Sequence, residues 1–198
     1  MEETMTPSQK QITQRQIDKA VANYRTLLEK HAPKFESAAV QTVLGQSEFA
    51  DAQFALFRER IEAISGMIVR HVKVDRTRTP QKVVDANGRT QYVDKDVLAT
   101  MPNGEGDEVD VYFFKVGRDL SVGEVEKEYA LRGLVPDPRA QAAVNEADPS
   151  FADEHPNGSQ WGNNCYLTFY RWRGERNVYC SRHDCDWDVS WFLSGVRK

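Results

Sequence analysis

Residues 165–180 read Cys165-Tyr166-Leu167-Thr168-Phe169-Tyr170-Arg171-Trp172-Arg173-Gly174-Glu175-Arg176-Asn177-Val178-Tyr179-Cys180. Side chains of a strand alternate between its two faces. One face of the first run holds Cys165, Leu167, Phe169 and Arg171, and the other holds Tyr166, Thr168, Tyr170 and Trp172. Both faces are substantially apolar, so this strand is either central and covered on both sides or half of a binding surface. Arg173-Gly174-Glu175-Arg176 supplies a hairpin connection to a second strand, Asn177 to Cys180.

Toward the N-terminus the period changes. Ile17, Ala20, Val21, Tyr24, Leu27 and Leu28 fall three, four and seven apart, which is one face of a helix. Thr6-Pro7 offers a start for it, a cap followed by proline at the first helical position. His31-Ala32-Pro33 offers the stop. A shorter helix carries Phe35 to Leu44 and ends at Gly45. A third begins at Ser47, turns Phe49, Phe54, Phe57, Ile61 and Ile64 inward, and closes at Gly66. The expected organisation is a helical segment, 1–66, and an α+β domain, 67–198, forming one compact unit. The apolar stripe on the helices must dock on the rest of the chain or on a second copy, so a homo-oligomer through these helices is an expectation.

Between these ends, Met67 to Val74 reads as a strand. Val83 to Val93 reads as a hairpin turning at Asn87-Gly88, since both residues tolerate positive φ. A loop, Pro102-Asn103-Gly104-Glu105-Gly106, precedes a strand from Val109 to Val116. Ser121 and Glu124 have capping-box spacing, and Gly133 with Pro136 ends the helix they open. Asp137-Pro138 and Asp148-Pro149 each pair a cap with a first-turn proline, predicting two short helices in series. His155-Pro156-Asn157-Gly158 reads as a turn. Val189, Trp191 and Leu193 alternate with Ser190, Phe192 and Ser194 toward the end. Helices, strands, helices and strands in that order predict an α+β fold. Its helical N-terminal segment packs on a mixed, mainly antiparallel sheet, with short helices inserted between strands.

The chain has 198 residues and a net charge of -4, but the charge is uneven. Residues 101–160 hold 5 basic and 13 acidic side chains, while the segments on either side each carry +2. That acidic block suits a basic protein surface and opposes phosphate. No secretory leader, membrane-length apolar run or even cysteine set is present, so a reducing, cytoplasmic setting is expected.

Cys165, Cys180, His183 and Cys185 would make a Cys3His zinc set, although Cys165 stands apart from the paired short turns such sites use. No nucleophile elbow, P-loop or dinucleotide fingerprint appears. Nine aromatic residues fall within 161–192, among them Tyr170, Trp172 and Trp187, with Arg173 and Arg176 interleaved. Such residues anchor protein interfaces, and aromatics with arginines on a sheet also stack single-stranded bases. The acidic Asp107, Glu108 and Asp110 complete the expected binding set.

The stretch Glu128 to Pro138, its continuation from Asn145 to Gly158, and the ending with Tyr170-Arg171-Trp172-Arg173 and Trp191 to Lys198 resemble uncharacterised proteins encoded on bacterial phages, plasmids and integrated elements. The likeness covers roughly the last 80 residues and brings no catalytic residues. It implies an accessory protein of a mobile element, a class that includes inhibitors of host defence such as anti-CRISPR proteins. The functional expectation is therefore a non-enzymatic protein-binding factor. A zinc-binding domain or metal-dependent enzyme and a single-stranded nucleic-acid binder are the alternatives.

Overall fold

The computed structural model describes residues 12–182 and 186–198. The chain divides into two compact units, Met1–Ala55 and Leu56–Lys198, and the division falls inside a helix. In the first unit, α1 (Gln14–His31) opens on Thr13, whose side chain accepts from the Gln16 amide while Gln16 takes the Thr13 amide. This complete capping box starts the helix later than Thr6-Pro7, which lies outside the described residues. Pro33 ends α1 in a single 3-10 turn, Ala32–Lys34. α2 (Ser37–Leu44) and the first half of α3 (Ser47–Ile64) follow. The Gln53 amide donates to the Tyr24 hydroxyl and ties α3 to α1. Neither α1 nor α2 buries a side chain.

The second unit is built on eight strands: β1 (Ile68–Lys73), β2 (Thr90–Val93), β3 (Glu108–Phe114), β4 (Leu134–Val135), β5 (Asn157–Trp161), β6 (Cys165–Trp172), β7 (Glu175–Arg182) and β8 (Phe192–Arg197). Their order is β1-β3-β8-β5-β6-β7-β2, with β4 beside β8. β2 with β7 and β5 with β8 are parallel, and the remaining pairings are antiparallel. Helices interrupt the strands: α4 (Pro80–Asp85), α5 (Lys95–Leu98), α6 (Val122–Arg132), α7 (Pro138–Ala147) and α8 (Phe151–Glu154). The expected α+β class is the fold found. One face of the sheet packs Leu167, Phe169, Val178, Val111 and Phe113 against α4, α5, α7 and α8. The other packs Phe114, Tyr166 and Leu193 against α6, β4, Leu120 and Trp187. Gly158 and Gly195 permit that second layer, because a Cβ at either would strike the Trp187 or Tyr129 ring.

Several local expectations hold. Ser121 and Glu124 form the capping box of α6, and Gly133 closes it at φ +66°. Asp137 caps α7 with Pro138 in its first turn. Others are corrected. Val83 to Asp85 is helix rather than strand, because Thr79 caps the Lys82 amide and Pro80 starts α4, putting Val83 and Val84 into the core. Asn87-Gly88 then follows the helix end, and Tyr92 joins β7 in parallel instead of folding back. Asn157-Gly158 opens an inner strand rather than a turn. Gln141 and Asn145 of α7 donate to Asn157 Oδ1 at 2.8 and 3.0 Å, so a polar residue is satisfied in the interior. Asp148 accepts from the Ser150 amide, which delays α8 to Phe151. The last strand starts at Phe192, after Trp187 and Trp191 have crossed the sheet face.

A buried ion pair ties the start of α7 to the chain leaving β1. Arg76 Nη1 and Nη2 reach Asp137 Oδ1 and Oδ2 at 2.9 and 2.7 Å, with the two side chains 9% and 1% exposed. Arg76 also donates to the carbonyls of Asn103, Glu105 and Gly106. Gly104, at φ +69°, passes so near that a Cβ would strike both charged groups. Removing one partner of a buried pair strands the other charge, at a cost of about 3–5 kcal/mol. Asp137→Ala is expected to lose that much in denaturant titration. Glu146→Ala, which breaks the half-exposed pair with Arg78, is expected to lose less than about 1 kcal/mol.

Candidate functional site

The second sheet face is only partly roofed. α6 and β4 cover its middle, while Tyr92, Tyr179 and Trp172 at the end made by β6, β7 and β2 are exposed. Register places Tyr92 beside Tyr179 and Tyr179 beside Thr168, so Tyr166, Tyr170 and Trp172 of β6 share their face. The rings form a curved series. Tyr92 stacks on Tyr179 at 6.1 Å, and Tyr179 on Tyr166 at 6.0 Å and 4°. Tyr166 meets Trp187 edge-on at 5.9 Å, Trp187 meets Trp191 at 5.8 Å, and Trp191 meets Tyr170 at 5.7 Å.

The series surrounds a hollow of about 230 Å³ with Asp186 and Asp188 at its rim. Trp187 is its floor, buried over Gly158 with its indole N–H on Gln160 Oε1 at 2.7 Å. Tyr92, Tyr179 and Trp172 are exposed, Trp172 by 63%. Burial and the neighbouring Tyr92 and Tyr179 raise the Tyr170 phenol, which keeps it neutral. The Ser190 hydroxyl and amide hold Asp188 below the ordinary carboxylate range. Aromatic ring faces beside carboxylates favour a cation, whose charge sits over a ring face.

The residues singled out in the sequence are distributed as follows. Tyr170 and Trp172 lie on the aromatic face. Arg173, in the β6–β7 turn at φ +51°, holds its guanidinium 6.0 Å from the Trp172 ring. Trp187 supports the site from beneath. Arg176 sits on the opposite face, bound to Asp153 at 2.7 and 3.0 Å. Glu108 and Asp110 belong to β3, separated from β6 by β8 and β5, and pair across strands with Lys73 and His71 at 2.9 Å each. Asp107 lies in the loop before them. The acidic and aromatic sets therefore form two places rather than one surface. Tyr92 was missed because its segment read as half of a local hairpin. Tyr179 and Trp191 were visible as aromatics, but nothing in their spacing announced the stacked geometry.

Of the zinc set, Cys165 and Cys180 lie in the apolar layer with Leu167, Phe169 and Val178. His183 and Cys185 lie outside the described residues. Among the described residues, no three His, Cys, Asp or Glu side chains converge as a metal site, and no helix is long and apolar enough to cross a membrane. Comparison with protein-family models, with curated proteins and with solved structures finds no match to this chain.

Burial, with Cys165 close by, pushes the Cys180 thiol up to about 12. Burial pushes the Tyr129 phenol up to about 12 as well, while its O–H donates to the Ser194 carbonyl at 2.8 Å. Both groups are neutral in the fold and ionise more readily once unfolded. Their stabilisation is full below their ordinary values of 9.0 and 10.0 and is lost as pH rises toward 12. Stability is expected to fall across pH 9–12, with a shallower fall in Cys180→Ala. Peptide mapping after thiolate-directed alkylation at pH 8 is expected to find Cys180 unmodified until the protein is unfolded.

Proposed function

We propose that this chain is a non-enzymatic binding factor that captures a protein partner through the uncovered aromatic end of its sheet, taking arginine or lysine side chains from that partner. The carrying observation is the hollow bounded by Tyr170, Tyr179 and Trp191 with Asp186 and Asp188 at its rim. A cation over one ring contributes about 0.5–2 kcal/mol, and exposed Trp and Tyr are the side chains that anchor interfaces. Phosphate finds less here: Asp186 and Asp188 line the hollow, while Arg171, Arg176 and Arg182 belong to the other face by strand alternation. The resemblance to mobile-element accessory proteins supplies the setting, in which such a factor blocks a host complex.

The test uses tryptophan fluorescence with three probes: an arginine- and lysine-rich peptide, an acidic peptide and a single-stranded oligonucleotide. Saturable binding of the basic peptide, weakened by salt, is expected. Trp172→Ala with Tyr179→Ala should weaken it roughly tenfold or more with the melting temperature little changed. Preference for the oligonucleotide, or an undiminished affinity in the double variant, overturns the proposal.

A further inference from the structure

The first unit carries an apolar surface that its own helices leave open. On α1, Ile17, Val21, Tyr24 and Leu28 follow a four-three-four spacing, the core positions of a coiled coil. All four are exposed, and α1 buries none of its residues. Eleven large apolar side chains of this unit, from Ile12 to Phe54, stand 37% to 62% exposed, while Phe49 is half-buried. A unit of this size without a buried core gains its stability from what covers it.

The flanks of the stripe identify the cover. One flank carries Asp18 and Arg25, each directly after a core residue, and the other carries Ala20 and Leu27. In a parallel pair unlike flanks meet, and these charges would face Ala20 and Leu27. In an antiparallel pair each flank meets its own copy. Asp18 then faces Arg25 of the second chain, Arg25 faces the second Asp18, and Ala20 and Leu27 widen the apolar seam. Ile17 stacks toward the second Leu28, and Val21 toward the second Tyr24. The charge pattern is complementary to itself under a two-fold axis, so the fitting occupant is a second copy of this chain.

We propose that the protein is an antiparallel homodimer through α1. The dimer presents two aromatic faces per particle, which raises avidity for a partner with repeated basic segments. It stands independently of what those faces bind.

Light scattering and sedimentation equilibrium on the full chain at micromolar concentration provide the test. The expected mass is twice 22.6 kDa. Val21→Glu with Leu28→Glu should give the single-chain mass. All four tryptophans lie between Trp161 and Trp191, so their fluorescence melt reports the sheet unit separately and should not change. Asp18→Arg and Arg25→Asp should each weaken the dimer severalfold, and their combination should restore it. A monomeric wild type, or a dimer that survives Val21→Glu with Leu28→Glu, overturns the proposal. A combined charge swap that fails to restore association overturns the antiparallel register.

Discussion

A charge buried without its counterion is among the most costly defects a protein interior can hold, and Arg76–Asp137 is a buried pair exposed to that cost. All five guanidinium N–H groups are used, two on Asp137 and three on the carbonyls of Asn103, Gly106 and Glu105. The carboxylate also accepts the Ala140 amide. One pair thus fixes where α7 begins, how the 103–106 loop turns, and where the chain leaves β1. With α7 so anchored, Gln141 and Asn145 stand over Asn157, and Ala140 and Val144 stand over Val111 and Phe113. The inner position of β5 depends on the first of these consequences, and the β1–β3 layer on the second.

The same logic runs through the charge distribution. The acidic block at 101–160 suggests an acidic surface when the chain is read linearly. Folding distributes much of it into pairs with cations from outside the block: Asp137 with Arg76, Glu146 with Arg78, Asp153 with Arg171 and Arg176, Glu108 with Lys73. Segments of opposite sign become neighbours, so the block records how the parts of the chain find one another. Asp186 and Asp188 near the aromatic hollow lie outside the block.

What could be read in advance was what local chemistry determines. Ser121 with Glu124, Gly133 and Asp137-Pro138 act through residues three or four positions away, and each does in the fold what its spacing implies. Asn87-Gly88 and Asn157-Gly158 have the same local chemistry but were decided elsewhere. Thr79 and Pro80 made a helix before the first pair, and α7 satisfied Asn157 across a distance no window covers. The aromatic site divides in the same way. Tyr170 and Trp172 were legible because strand alternation assigns their face. Tyr92 was not, because a parallel pairing with β7 joins residues far apart in sequence.

The apolar stripe of α1 and the aromatic end of the sheet differ in their physics. On α1 the exposed stripe is three aliphatic residues and Tyr24, regularly spaced and flanked by self-complementary charges, a pattern whose contacts are mostly non-directional burial. At the sheet end the rings already stack on one another, with a buried tryptophan beneath them and carboxylates beside them. Such rings lose little freedom when a ligand arrives, since the fold has already ordered them, and that preorganisation converts modest contacts into affinity. On the two proposals, the first surface therefore suits permanent association and the second a partner that comes and goes.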